Sequence, residues 1–244
     1  MRTVISACIV SLILAGSVFA QKQKPWTEWT KKDVEKTLND SAWGQTHSEG
    51  GSSQSTSSSA ITQVAAPNAA GRELNNRQGE SGESKPSNVV KYHVRFLSAK
   101  PVRAAFARQV LLAKADADEN LTNQLQAFID RDFNEYIVVS VGIEVGDERM
   151  ATPLMKAFNG ATTEALQQNV FLERKDGKKL FLMEYRAPVG DGMGAKFIFQ
   201  RVVDGKPFLS ETDNVKFFAQ LNEKMKVNTR YKLSEMLYDG KLEY

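Results

Sequence analysis

Cysteine and histidine are nearly absent from this sequence, and their scarcity excludes several kinds of site. Among 244 residues there are one cysteine and two histidines, and Cys8 lies in an N-terminal segment that we predict to be removed. The mature chain is therefore expected to form no disulfide, thiolate nucleophile or zinc–thiolate centre. His47 and His93 are far apart in the sequence, so we predict neither a metal site nor a cofactor.

An excess of charge of one sign is also missing. The chain has 32 basic and 29 acidic residues, which gives a formal net charge of +3. A balance so close to neutral does not indicate a nucleic-acid partner. Hydrophobic residues make up 41% of the chain and charged residues 25%, values typical of a globular protein with a sizeable core.

Residues 1–20 have the pattern of a secretory signal. Arg2 precedes an apolar stretch over residues 4–15, a Gly-Ser pair interrupts it, and Val-Phe-Ala at 18–20 suits a signal peptidase. We predict cleavage after Ala20 and a secreted or periplasmic protein. The apolar stretch is too short to span a bilayer comfortably, and no transmembrane helix is predicted after cleavage.

Residues 21–43 predict a short helical segment that holds every tryptophan of the chain. Thr30 is placed to cap the helix with Asp33 as its partner, and Val34 and Leu38 share one face. Two interpretations stay open for the tryptophans. They either dock this helix on the main domain or form a surface for an unknown ligand or envelope component. They are Trp26, Trp29 and Trp43.

Two stretches of the chain carry a resemblance to a known group of proteins. They read KPWTEWT at 24–30 followed by LNDSAWG at 38–44, and YHVRFLSAKPVR at 92–103. Both resemble uncharacterised secreted hypothetical proteins known from acidobacterial genomes, a group without a known activity. The resemblance implies an exported protein with a Trp-rich N-terminal helix, a low-complexity linker and an α+β domain. It implies no catalytic residue.

Residues 44–88 are predicted to form a disordered linker. The stretch GGSSQSTSSSA at 50–60 and the polar residues after it contain few large apolar side chains. Such a composition buries too little surface to offset the entropy of ordering the chain. The linker would separate the tryptophan segment from the main domain.

Residues 89–244 predict one α+β domain with a mostly antiparallel sheet and two or three helices. Residues 90–96 alternate as in a strand, and a helix beginning near Pro101 would bury Val102, Phe106, Val110 and Ala113. The β-branched run 136–145 predicts a central strand. Beyond residue 170 the period is two, with strands at 170–174, 179–186, 195–203, 215–221 and 227–233. Asp-Gly pairs at 176–177, 204–205 and 239–240 predict tight turns.

Few residues are left that could carry chemistry. The repeat Gly190-x-Gly192-x-Gly194 leads into a strand, whereas a phosphate-binding loop requires a following helix. Carboxylates on or near strands could pair in one cleft, as glycoside hydrolysis requires. They are Glu144, Glu173, Glu184 and Glu211.

The function expected from the sequence is that of an exported, non-catalytic binding or envelope-associated protein with an unknown ligand. The alternative is a carboxylate-based hydrolase acting on extracellular or cell-wall glycans. A cleft with two acids, one of them with a raised pKa, would favour the hydrolase. A groove without such acids would favour the binding protein.

Overall fold

The computed structural model describes residues 24–49, 89–114, 116–223 and 225–244. The predicted signal and residues 50–88 of the predicted linker lie outside these ranges. Within them, no helix is both long and apolar enough to cross a membrane. The α-helices are α1 (Lys31–Asn39), α2 (Lys100–Ala113), α3 (Glu119–Ile129), α4 (Glu148–Gly160) and α5 (Thr163–Leu166).

The strands form two main antiparallel sheets and two short hairpins. The first sheet has the order β1-β2-β3-β7-β6 and the second the order β11-β10-β4-β5, while β8 pairs with β9 and β12 with β13. The strands are β1 (Gly44–Glu49), β2 (Val90–Phe96), β3 (Tyr136–Val145), β4 (Val170–Arg174), β5 (Lys179–Phe181), β6 (Glu184–Arg186), β7 (Ala195–Gln200), β8 (Val202–Val203), β9 (Lys206–Pro207), β10 (Asn214–Asn222), β11 (Met225–Lys232), β12 (Leu237–Tyr238) and β13 (Lys241–Leu242). The predicted α+β class is confirmed, and β3 is the central strand of the first sheet, as predicted.

The two sheets pack face to face and enclose the core. The ring of Phe217 on β10 lies 5.5 Å from that of Phe197 and 6.4 Å from that of Phe199, both on β7. The hydroxyl of Tyr231 donates a hydrogen bond to the carbonyl of Val94 at 2.9 Å. Because side chains alternate along a strand, the other face of each sheet points outward.

The chain changes sheets between two consecutive residues. The N–H of Leu182 donates to Val170 in the second sheet, and the N–H of Met183 donates to Ile198 in the first. The prediction of one continuous strand over 179–186 is therefore wrong. Leu182 is buried at the corner between the sheets, and this burial separates β5 from β6.

Helices α1 and α2 lie on the outer face of the first sheet. The predicted capping box of α1 is confirmed. Val102 and Phe106 of α2 are buried as predicted, but Val110 is 39% exposed. The predictions for Val110 and Ala113 are wrong, because both side chains border an open cavity between α2 and α3 and Ala113 is exposed as well.

The predicted start of the linker at residue 44 is wrong. Residues 44–49 form β1, which pairs with β2 from Gly44 opposite Arg95 to Glu49 opposite Val90. The sequence of β1 has a weak strand propensity, and pairing with a long neighbouring strand outweighs it. The tryptophan segment therefore continues directly into the first sheet.

Candidate functional site

Two tryptophans reach the main domain through their indole N–H groups. The Nε1 of Trp26 donates to Oε1 of Gln126 on α3 at 2.8 Å. The Nε1 of Trp43 donates to the carbonyl of Glu243, also at 2.8 Å, and the Trp43 ring meets Tyr238 edge to face. Both side chains are half-buried.

Trp29 lies deeper than the other two tryptophans, with 9% of its surface exposed, in one cluster with Val34 and Leu38. Its Nε1 donates to the carbonyl of Lys24, and its own carbonyl accepts from Nε of Arg108 at 2.7 Å. These contacts support the docking interpretation of the tryptophan segment. Binding of an external partner at this segment stays a prediction.

A concave, largely apolar surface lies elsewhere, on the outer face of the first sheet. We call it the outer groove, and it runs between α3, the uncovered ends of β3, β6 and β7, and the loop over 187–194. Its volume is about 390 Å³, within the range of small-molecule sites. It is lined by Leu97, Phe128, Arg131, Phe133, Tyr136, Val138, Met183, Glu184, Arg186, Asp191, Met193, Lys196 and Ile198.

A second cavity continues the outer groove along α2. It has a volume of about 280 Å³, and Phe128, Asp191 and Met193 line both. Val110 borders this extension at 39% exposure, while Tyr136 and Met183 in the groove are each 40% exposed. Large apolar side chains are thus open to solvent along the outer groove and its extension, and a bound ligand would remove them from water.

Charged groups border the apolar lining of the outer groove. Lys196 lies 2.6 Å from Asp191, and Arg186 lies 2.7 Å from Glu184. Burial opposes ionisation of Asp191, but hydrogen bonds from Lys196 and from the N–H of Met193 hold its pKa below the ordinary value. Each acid of the groove is therefore neutralised by a neighbouring base.

Arg131 differs from the other bases of the groove. It forms no ion pair with any residue that the structure describes, and its guanidinium lies 5.7 Å from the centre of the Phe133 ring. Arginine offers a planar set of donors that matches a carboxylate or phosphate. The groove thus combines an apolar lining with one cation available to an anionic group.

The glycine-rich loop forms one wall of the groove and joins β6 to β7, as predicted. Its three glycines have φ values of 76°, 75° and 84°. A side chain on Gly194 would place Cβ 2.2 Å from the carbonyl oxygen of Val141, so only glycine fits at this position. The loop is thereby held close to β3.

The acids considered from the sequence do not gather in one cleft. Of the four, Glu184 alone lines the outer groove. Glu173 pairs with Lys216 on the second sheet, and this contact lowers its pKa. Glu211 is exposed in a turn. Sequence reasoning missed Asp191, Met183 and Arg131, because residues distant in the chain line the groove together and no local pattern marks them.

A chain of three polar side chains crosses the strands β1, β2 and β3. Nδ1 of His93 lies 3.0 Å from Oγ1 of Thr46, and Nε2 lies 3.2 Å from Oε2 of Glu144. The Thr46 hydroxyl also contacts the carbonyl of Asn39 at 3.2 Å. None of these residues lines the outer groove or its extension, so this arrangement lies apart from both cavities.

We expect acidification to destabilise the protein through His93. Burial, assisted by the charge of Arg95, lowers the pKa of His93 below its ordinary value of 6.5, although Glu144 opposes the shift. The unfolded chain then binds the proton first, so stability falls as the pH drops below about 6.5. An NMR titration should give a His93 midpoint below 6.5, and His93→Gln should lose less stability than the wild type over this range. A midpoint above 6.5 would contradict the expectation.

No grouping of three or more potential metal ligands occurs among the described residues. No family model, curated protein or solved structure matches the chain. The functional interpretation therefore depends on the geometry of the outer groove.

Proposed function

We propose that the protein is an exported binding protein without catalytic activity, and that its outer groove takes an amphipathic ligand with an anionic group. The observation that carries this proposal is the apolar lining of the outer groove and its extension, in which Val110, Tyr136 and Met183 remain about 40% exposed. Covering this lining contributes roughly 25 cal/mol per Å² of apolar area. Arg131 supplies the partner for the anionic group.

The acids of the groove support binding over glycoside hydrolysis. Hydrolysis requires one carboxyl that keeps its proton near neutral pH. Glu184 and Asp191 are each ion-paired, and the pKa of Asp191 is held low. Every described carboxyl with a shifted pKa is shifted downward. A glycan hydrolase stays the alternative, because both acids line one groove.

The proposal predicts that dodecanoate binds the purified protein in calorimetric titration. Met183→Glu should weaken binding at least about tenfold, because it places an anion in the apolar lining. Arg131→Gln should weaken binding about tenfold, because hydrogen bonds to charged groups are worth about 1.5–3 kcal/mol.

Matched changes outside the groove serve as controls. Met155 is 38% exposed on α4, and Arg149 is exposed on the same helix. Met155→Glu and Arg149→Gln should leave the affinity for dodecanoate unchanged. Equal losses in the control variants would contradict the groove as the site. Cleavage of a cell-wall glycan that Glu184→Gln abolishes would overturn the proposal in favour of the hydrolase.

A further inference from the structure

The outer face of the second sheet carries a concentration of basic side chains, which we call the cationic face. Cross-strand register places Arg230, Lys216, Glu173 and Lys179 in one row over the four strands. Along β11 every second residue is exposed, which adds two more bases. The bases of the face are Lys179, Lys216, Lys226, Arg230 and Lys232.

Acidic residues neutralise only part of this face. Glu173 pairs with Lys216, and Glu235 pairs with Lys232 at 3.1 Å. The other three bases, Lys179, Lys226 and Arg230, form no ion pair among the described residues, although the charges of Lys179 and Arg230 also act on Glu173. Five bases against these two acids leave the face with a local excess of positive charge.

A row of aromatic rings lies beneath these charges. Phe171 stacks on Phe218 with ring centres 5.0 Å apart, and only 9% of its surface is exposed. The Nζ atoms of Lys179 and Lys216 lie 4.3 Å and 5.8 Å from the centre of the Phe171 ring. The ammonium groups therefore cover the Phe171 ring, whereas Phe181, which meets that ring edge to face, is 42% exposed.

We propose that the cationic face binds an acidic polysaccharide, a polymer that carries repeated carboxylate groups. Neighbouring strands are about 4.8 Å apart and alternate residues of one strand about 7 Å apart, so the bases form a regular array. Such an array suits a chain of repeated charges better than a single small anion.

Other occupants fit this face less well. A second copy of the same face would bring like charges together. Residues 50–88 contain three acids and three bases, so this segment has no complementary charge. Single-stranded nucleic acid stacks successive bases on a series of open aromatic rings. Here two lysines cover the Phe171 ring and Phe218 is half-buried, so Phe181 is the one exposed ring among these three.

The test is a binding titration with a purified oligogalacturonate at low and high salt. The face variant combines Lys179→Gln, Lys226→Gln and Arg230→Gln, and it should lose at least about tenfold in affinity at low salt. The control variant removes the same charge at exposed lysines elsewhere, with Lys31→Gln, Lys156→Gln and Lys206→Gln. The affinity of this control variant should stay within about twofold of the wild type. High salt should weaken binding by the wild type, because salt screens the charges.

Three results would overturn the proposal. One is an absence of oligogalacturonate binding by the wild type at low salt. Another is an equal loss in the face and control variants, which would reflect the overall charge. The third is tighter binding of oligothymidylate than of oligogalacturonate, which would identify the face as a nucleic-acid surface. Since all six substituted side chains are exposed, equal thermal midpoints of the variants would show that they remain folded.

Discussion

Replacing Arg103 with methionine is expected to lower the free energy of unfolding by about 3 kcal/mol or more. The side chain is 4% exposed, and its Nε donates to the carbonyl of Ile129 at 2.9 Å. Its Nη1 donates to the carbonyls of Leu97 and Ser98. Methionine fills a similar volume but leaves these buried acceptors without their donor. Urea denaturation measures the change.

The charge of Arg103 persists despite its burial. Burial lowers the pKa of the guanidinium to about 10, while Glu243 and Asp130 oppose the shift. Arg103→Lys keeps the charge but not the planar set of donors. Its free energy of unfolding should therefore lie between those of the wild type and Arg103→Met. Arg149→Met, on the exposed side of α4, should change stability by less than about 0.5 kcal/mol. A stable Arg103→Met variant would contradict the assigned role.

Replacing Trp29 with alanine should cost about 3–5 kcal/mol of stability. The ring is buried in the same apolar core as Val34 and Leu38, and the Trp29 carbonyl accepts from Arg108 of α2, so alanine leaves a cavity where the N-terminal segment meets the main domain. Trp29→Phe should recover part of the loss. Thermal or urea denaturation provides the measurement.

Fluorescence gives an independent check on the docking of Trp29. In Trp26→Phe/Trp43→Phe, the remaining tryptophan should emit at short wavelength and resist acrylamide, because its ring is 9% exposed. Free quenching, together with unchanged stability of Trp29→Ala, would mean that the segment is not docked in solution. The tryptophans would then be available to an external partner.

Local chemistry explains the parts of the fold that the sequence predicts well. Thr30 and Asp33 form their capping box from residues three apart. Asp204-Gly205 and Asp239-Gly240 have positive φ at both central positions, the conformation that tight hairpin turns require. These features depend on neighbouring residues alone, so one sequence suffices to predict them.

Long-range contacts explain what the sequence does not predict. Strand β1 contains glycine, serine and a glutamate, and it forms because β2 supplies its hydrogen-bonding partners. The outer groove joins side chains from Leu97 to Ile198, and Val110 is exposed because nothing fills the space beside it. Which apolar residue remains uncovered is decided by the packing of the whole molecule rather than by local periodicity.

Because β1 pairs with β2, residues 50–88 connect two neighbouring strands of one sheet. Glu49 lies opposite Val90, so the two ends of this segment meet at adjacent positions of one ladder. The segment is therefore the connection of a hairpin rather than a spacer between separate bodies. Since doubling the length of a loop adds only about 0.6 kcal/mol to the cost of closing it, the pairing of β1 with β2 sets only a weak limit on the number of residues that join them.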